Sequence, residues 1–300
     1  MKPARLTAGG TVAIVAPAGP VPPDLVDSGV AVLESWGLTV RVGPCVRGRH
    51  PELGYLSGTD RDRAAEFTAA WTDPAVSAVL AARGGYGSMR MLDHLDWTAL
   101  AAAGPKALVG SSDITALHEA VGVRLGLSTL FSPMPASTLF DPTAAEHLRA
   151  TLFEPEQATV LAKSVEALRH GVARGPLVGG NLSLLAASLG TPEHRPAAGA
   201  IAVLEDVTES VYRLDRLLTQ LLRSGWFDGV AGIALGSWDG CGALDRVRTL
   251  MLDRLGPLGV PVLWECGFGH VPRSPTLALG VPGELDADAG TLTLLEPALA

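Results

Sequence analysis

The chain has 300 residues, 47% of them hydrophobic and 18% charged, with a formal net charge of −8. This is the balance of a globular protein, long enough for one large domain or two ordinary ones, and it excludes a disordered chain. The acidic total and basic residues scattered without any block argue against a nucleic-acid binder, because phosphate neutralisation needs a concentrated basic face.

In chain order, the N-terminal "MKPARLTAGGTVAIVAPAGPVPPD" carries two early positive charges and a short apolar run. Pro17, Pro20, Pro22 and Pro23 break that run before it resembles the apolar centre of a secretory signal. No apolar run approaches the length of a membrane span, so no membrane association and a cytoplasmic location are expected. The first half then alternates strand and helix patterns: the strand "TVAIVAPAG", a helix from Pro23 through Trp36, the strand "LTVRVG", the polar "GYLSGTDRDRAAEF", and the strand "VSAVLAARGG". A helix around "GSMRMLDHL", the strand "KALVG" and a further helix follow. Short apolar strands separated by amphipathic helices predict a parallel sheet with helices on both faces, and ligands in such sheets bind beyond the carboxyl ends of the strands.

Residues 141–175 read as a helix followed by a linker. "GPLVGGNLSLLAASLGTP" opens a second unit with strands "AIAVLED", "AGIALGSW" and "VPVLWECG" and a terminal strand pair, "TLALG" and "GTLTLLEPAL", around the turn-rich "VPGELDADA". Its main helices are "SVYRLDRLLTQLLRSG" and "ALDRVRTLMLDRLG". The expected organisation is an N-terminal α/β domain over 1–150, a linker over 151–175 and a C-terminal β/α domain over 176–300.

Three Gly- or Ser-bearing segments carry candidate chemistry. "KALVGSSDITAL" puts Ser111 and Ser112 on a strand-to-helix turn, beside backbone N–H groups that the first helical turn leaves unpaired. A nucleophile suits that place, and so does a simple helix cap by Ser112 or Asp113. "ARGGYG" sets Gly84, Gly85 and Gly87 at another strand end, as a tight turn or as an oxyanion hole beside a nucleophile. Glu205 ends the strand "AIAVLE", and His270 lies in the Gly-rich "CGFGHVPRSP"; each alone reads as solvent-facing or incidental. The other six histidines, His118 among them, read as surface residues. Together Ser112, Glu205 and His270 supply a nucleophile, an orienting carboxylate and a base, in the chain order of α/β-hydrolases but without their G-x-S-x-G elbow. Cys45, Cys241 and Cys266 are odd in number and far apart, which suits reduced thiols; Cys266 and His270 alone do not make a metal site.

The ordered series "TVAIVAPAGP", "GYLSGTDRDRAAEF", "ARGGYGSMRMLDHLDW", "KALVGSSDITAL", "GPLVGGNLSLL", "AVLEDVTESVYRLDRLLTQL" and "GFGH" resembles, nearly end to end, the LD-carboxypeptidases, a serine peptidase family that includes the microcin C immunity proteins. The resemblance implies a flavodoxin-like N-terminal domain, a smaller mixed β/α C-terminal domain and a homodimer. It implies Ser112 as nucleophile, with Ser111 in the variable position, Glu205 and His270 as its partners, and oxyanion donors from Gly85, Gly84 and the N–H of Asp113. "FSPM" at 131–134 departs from the H-G-P-M common in the family, and "WECGFGH" departs before the histidine, around Glu265 and Cys266. The resulting expectation is a cofactor-free, metal-free serine carboxypeptidase that removes D-alanine from a muropeptide tetrapeptide, with Arg83 on the substrate carboxylate and Arg90 and Arg273 as competitors for that role. Two alternatives stand beside it. One is hydrolysis of peptidyl or aminoacyl sulfamoyl adenylates, which calls for an aromatic platform; the other is a non-catalytic binding module of the same fold.

Overall fold

The structure, a computed structural model, describes residues 1–163 and 165–300. In chain order the elements are β1 (Thr11–Val15), α1 (Pro23–Ser35), β2 (Thr39–Val42), α2 (Asp60–Thr72), β3 (Val76–Ala81), α3 (Ser88–Met91) and α4 (Trp97–Ala102). There follow β4 (Ala107–Gly110), α5 (Thr115–Leu125), β5 (Thr129–Phe131), α6 (Pro142–Phe153), β6 (Val160–Ala162), β7 (Glu166–Arg169), β8 (Val172–Asn181) and α7 (Leu182–Ala187). The chain ends with β9 (Ile201–Glu205), α8 (Val211–Arg223), β10 (Gly232–Leu235), α9 (Leu244–Leu255), β11 (Val262–Trp264), β12 (Leu277–Leu279), β13 (Pro282–Asp286) and β14 (Thr291–Leu294).

Local chemistry sets many of these boundaries. Thr59 caps α2 by accepting from the Asp62 N–H at 3.1 Å, and Asp60 and Asp62 place negative charge in the first turn, where the helix dipole favours it. Asp141 and Asn181 cap α6 and α7 in the same way. Helix α5 stops at Gly126, whose left-handed backbone no branched residue would adopt without strain.

The first sheet runs β12-β5-β4-β3-β1-β2, with β1 to β5 parallel and β12 antiparallel at one edge. The second runs β6-β14-β13-β8-β9-β10-β11-β7, parallel from β8 to β11 and antiparallel outside that block. Alternation along the strands sends each face of a sheet to a different core. Val12 and Ile14 of β1 join Leu177, Ile201, Val203 and Leu263 of the second sheet in one shared cluster. Ala13 and Val15 face a separate layer under α2 and α5, while Leu204, Ile233 and Leu235 face α7, α8 and α9. The two sheets are therefore welded through a common core.

Several segments differ from the expectation. Residues 151–175 hold β6, β7 and the start of β8 where a linker was expected; β6 and β7 are only three and four residues long and lie at sheet edges, too short to leave a periodic signature. "TLALG" forms β12 and crosses back to the first sheet, pairing Leu277 with Phe131. Part of the turn-rich "VPGELDADA" is the strand β13. His118, expected at the surface, is 2% exposed. Among the described residues, no helix is long and apolar enough to cross a membrane.

Candidate active site

Strand β4 delivers the two serines to the carboxyl edge of the first sheet. Ser112 takes a backbone φ of +60°, a left-handed conformation that costs a non-glycine residue free energy and that clusters at functional sites. Ser111 is extended, and neither serine makes a side-chain cap. The cap alternative for Ser112 therefore has no hydrogen bond behind it. Asp113 does not cap either: its carboxylate, 1% exposed, accepts from the Ser88 N–H at 2.7 Å, and its carbonyl accepts from Ser88 Oγ at 2.5 Å. Burial raises the Asp113 pKa above its ordinary value, against the opposing pull of the Ser88 and Gly87 hydrogen bonds.

The glycine loop after β3 lies directly against this turn. A Cβ on Gly84 would stand 2.8 Å from Ser112 Cβ and 3.0 Å from its Oγ, so only glycine permits the approach. The Gly84 carbonyl accepts from Gly19 N–H at 3.1 Å. Because a trans peptide points its C=O and N–H in opposite directions, the Gly85 N–H faces away from Gly19. Among the described residues, neither the Gly85 N–H nor the Asp113 N–H has a protein acceptor.

On the second sheet, Glu205 ends β9 fully buried, and its Oε2 lies 2.6 Å from His270 Nδ1. The Nδ1–H donating to that carboxylate leaves Nε2 with its lone pair for a further partner. Burial works against a charged His270, yet the hydrogen bond and charge of Glu205, helped by Asp206 and Asp239, outweigh it and raise the His270 pKa above its ordinary value. Gly269 makes room for the pair: a Cβ there would sit 2.6 Å from Glu205 Oε2. The solvent-facing alternative for Glu205 is overturned, since it is fully buried, with Asp206 buried beside it.

Asn181, which the sequence reading did not single out, joins the two halves. Its Nδ2 donates to Glu205 Oε1 at 3.1 Å and to Asp206 Oδ1 at 3.0 Å, while its backbone N–H donates to Thr115 Oγ1 at 3.0 Å. Thr115 stands three residues after Ser112, so the carboxylate–histidine pair and the serine turn share one hydrogen-bonded chain. An Asn ahead of an apolar helix is the available signal, and it is satisfied equally by a cap, which Asn181 also provides.

Of the three arginines considered for an anionic ligand, Arg83 is exposed beside the glycine loop, with Nη1 donating to the Pro20 carbonyl at 2.9 Å and no carboxylate partner among the described residues. Arg90 is already paired with Asp60 at 2.8 Å. Arg273 is exposed, and its backbone N–H donates to Asp141 at 2.6 Å. Cys266 is buried, with a thiol pKa raised by burial, and no group of three or more His, Cys, Asp or Glu among the described residues could hold a metal ion.

Comparison with known proteins matches residues 12–132 to the LD-carboxypeptidase N-terminal domain and residues 174–285 to the LD-carboxypeptidase C-terminal domain. The chain is 58% identical over 302 residues to the protein SCO6489 of Streptomyces coelicolor, covering 100% of this chain and 97% of that one. It is 35% identical over 299 residues to the murein tetrapeptide carboxypeptidase of Pseudomonas aeruginosa, covering 93% and 94%. The solved structure of MccF in complex with glutamyl sulfamoyl guanosine superposes with a TM-score of 0.88 at 23% identity, covering 100% of this chain and 99% of that one, a likeness of fold. Matched over both of its halves, this chain belongs to the LD-carboxypeptidase family.

Proposed function

We propose that the protein is a cytoplasmic serine LD-carboxypeptidase that releases the terminal D-alanine of muropeptide tetrapeptides during peptidoglycan recycling, acting as a homodimer. The observation that carries this reading is the buried Glu205–His270 pair, linked through Asn181 and Thr115 to the strained Ser112 turn. Ser112 Oγ attacks the scissile carbonyl while His270 Nε2 takes its proton, and Glu205 stabilises the resulting imidazolium. The carbonyl oxygen, now anionic, is held by the Gly85 and Asp113 N–H groups, with Gly84 keeping the loop close enough. His270 then protonates the departing D-alanine amine, and water, deprotonated by the same ring, releases the shortened peptide from Ser112. Arg83, with no carboxylate partner among the described residues, binds the substrate's terminal carboxylate.

The related enzyme of Pseudomonas aeruginosa bears a murein tetrapeptide name, which supports the substrate class. A second reading, hydrolysis of sulfamoyl adenylates, draws on the MccF likeness. The murein tetrapeptide name favours the first. Trp71, Trp226, Trp238 and Trp264 are buried and Trp36 and Trp97 half-buried, but Tyr55 and Tyr86, with ring centroids 5.9 Å apart at the glycine loop, are each 52% exposed, so aromatic exposure does not separate the two readings. Incubation with a muramoyl tetrapeptide, the matching tripeptide and an aminoacyl sulfamoyl adenylate, with products weighed by mass spectrometry, decides the matter. Loss of one D-alanine from the tetrapeptide alone is expected; cleavage of the adenylate alone would overturn the first reading.

A further inference from the structure

The motif "GYLSGTDRDRAAEF" contains a residue to which the catalytic scheme assigns nothing. Arg63, on the inner face of α2, is 0% exposed. Its guanidinium donates from Nε to the Gly58 carbonyl at 3.2 Å and from Nη1 to the Gly87 carbonyl at 2.7 Å, and it makes close bonds to the Pro17 carbonyl and to Asp60. Burying an arginine with a single carboxylate partner is expensive unless its remaining donors are used, and here they are spent on the loops after β1, β2 and β3. One turn along the same helix, Glu66 does the converse: its carboxylate, 7% exposed, accepts from the N–H groups of Ala16 and Cys45, both at 2.7 Å. Helix α2 thus grips the loops with one cation for carbonyls and one anion for N–H groups, but only the cation reaches the glycine loop.

That loop is held at three residues, Gly84, Gly87 and Ser88, and the Gly87 carbonyl also accepts from the Arg90 N–H at 3.1 Å. Gly19 holds the Gly84 carbonyl, Asp113 holds the Ser88 N–H, and Arg63 holds the Gly87 carbonyl. Between the first and the other two lies Gly85, whose N–H has no protein acceptor among the described residues. Gly85 and Gly87 have φ of +108° and +128°, conformations a loop of such freedom keeps only if its ends are fixed. A Cβ on Gly87 would come within 3.0 Å of Arg63 Nη1, so the glycine and the arginine fit as a pair. We infer that Arg63 is a positioning residue of the oxyanion hole: by clamping Gly87 against the Pro17 loop it aims the Gly85 N–H at the oxygen that becomes anionic. The inference rests on the serine-hydrolase reading above.

Oxyanion donors misplaced by a fraction of an ångström lose transition-state stabilisation while ground-state binding survives. The test compares full-length Arg63→Lys with Glu66→Gln, which disturbs the same helix and depth without touching the glycine loop. For each, kcat and KM on a muramoyl tetrapeptide are measured, with the affinity of a peptide boronic acid, which adds to a serine as a tetrahedral anion, and of the tripeptide product. Arg63→Lys is expected to lower kcat and boronate affinity about 30-fold or more with KM and product affinity within roughly twofold. Glu66→Gln is expected to lower the unfolding midpoint with the boronate-to-product ratio unchanged. Should Arg63→Lys not fold, Asp60→Asn, which frees one end of the guanidinium at a partly exposed position, is expected to show the same split at smaller size. Equal losses in boronate and product binding, or the same split in Glu66→Gln, would overturn the assignment. A wild-type enzyme indifferent to boronates, or an active Ser112→Ala, would instead remove the serine reading, and the assignment with it.

Discussion

Ser111 and Ser112 are adjacent and chemically identical, and backbone conformation separates them. Ser112 carries the left-handed φ and touches the Gly84 contact; Ser111 is extended and 8% exposed. Ser112→Ala is therefore expected to cut kcat/KM by on the order of a thousandfold or more, and Ser111→Ala by a few-fold at most, measured on the tetrapeptide. Comparable losses would remove the assignment. His270 gives a second expectation at this scale. A base must be neutral to accept the serine proton, and the carboxylate beside His270 raises its pKa, so activity should climb with pH to a midpoint above the ordinary value of about 6.5. In Glu205→Gln the amide keeps the size but not the charge; kcat should fall by on the order of 10² to 10⁴ and any residual activity should titrate at lower pH. A pH–rate profile of both proteins, showing no downward shift in the variant, would contradict the pairing. Ser112, Glu205 and His270 were legible as candidates because Ser-Asp, Leu-Glu-Asp and Gly-His punctuate strand ends. Asn181 and Arg63 were not, because a helix cap and a helix-face arginine have ordinary uses that a linear sequence satisfies equally well.

Helix α5 shows how an element can hide its own titration. Its first turn carries Thr115, and its buried face carries His118 and Glu119, 2% exposed each. His118 Nε2 donates to the Gly110 carbonyl at 2.9 Å while Nδ1 has no partner among the described residues, and burial pushes its pKa down to about 4. Burial pushes Glu119 up to about 7, with Arg195 opposing. The linkage signs are opposite. A histidine depressed in the folded state is protonated more readily in the unfolded chain, so stability falls as pH drops from about 6.5 to 4. A carboxylate raised in the folded state holds its proton more tightly there, so stability grows as pH drops from about 7 toward its unfolded value. In the wild type the two oppose each other. Glu119→Gln removes the second contribution and should expose the first, so that stability falls between pH 6.5 and 4 by about 2–3 kcal/mol more than in wild type. Urea unfolding at the two pH values measures it, and parallel pH profiles for both proteins would refute it. Sequence periodicity identified α5 but placed His118 outside, since a helix packed on nearly every face has no polar side to orient it.

At the scale of the whole molecule, what the sequence concealed was the joining of the two sheets. Apolar or alternating runs closed within a few residues by glycine announced β1, β2, β3 and β4, four of the five parallel strands of the first sheet, whereas β5, three residues followed by Ser132 and Pro133, left no such mark. Long-range pairings left no comparable trace: β12 is three residues long, and its return to β5 depends on a core that exists only after both sheets form. The same dependence governs the site, since Ser112 follows β4 of the first sheet while Glu205 ends β9 and His270 follows β11 of the second. Gly180 is where the join is tightest. Its φ is +140°, and a Cβ there would stand 2.7 Å from Thr115 Oγ1 and 3.2 Å from the Phe131 ring. Gly180→Ala must therefore push α5 away from β8, lengthening the Thr115–Asn181 bond that couples the serine turn to Glu205. Overpacking of this kind costs about 1–3 kcal/mol, and a displacement near 1 Å between reacting groups costs on the order of a hundredfold in rate. Gly180→Ala should then remain folded, with a modestly lower urea midpoint, and lose kcat far beyond what its unfolded fraction accounts for. Thr115→Ser, which keeps the acceptor and removes the methyl group that crowds the new Cβ, should restore part of the rate when combined with it. A Gly180→Ala variant of full kcat would mean that the serine turn is aligned with His270 by something other than the contact between the sheets.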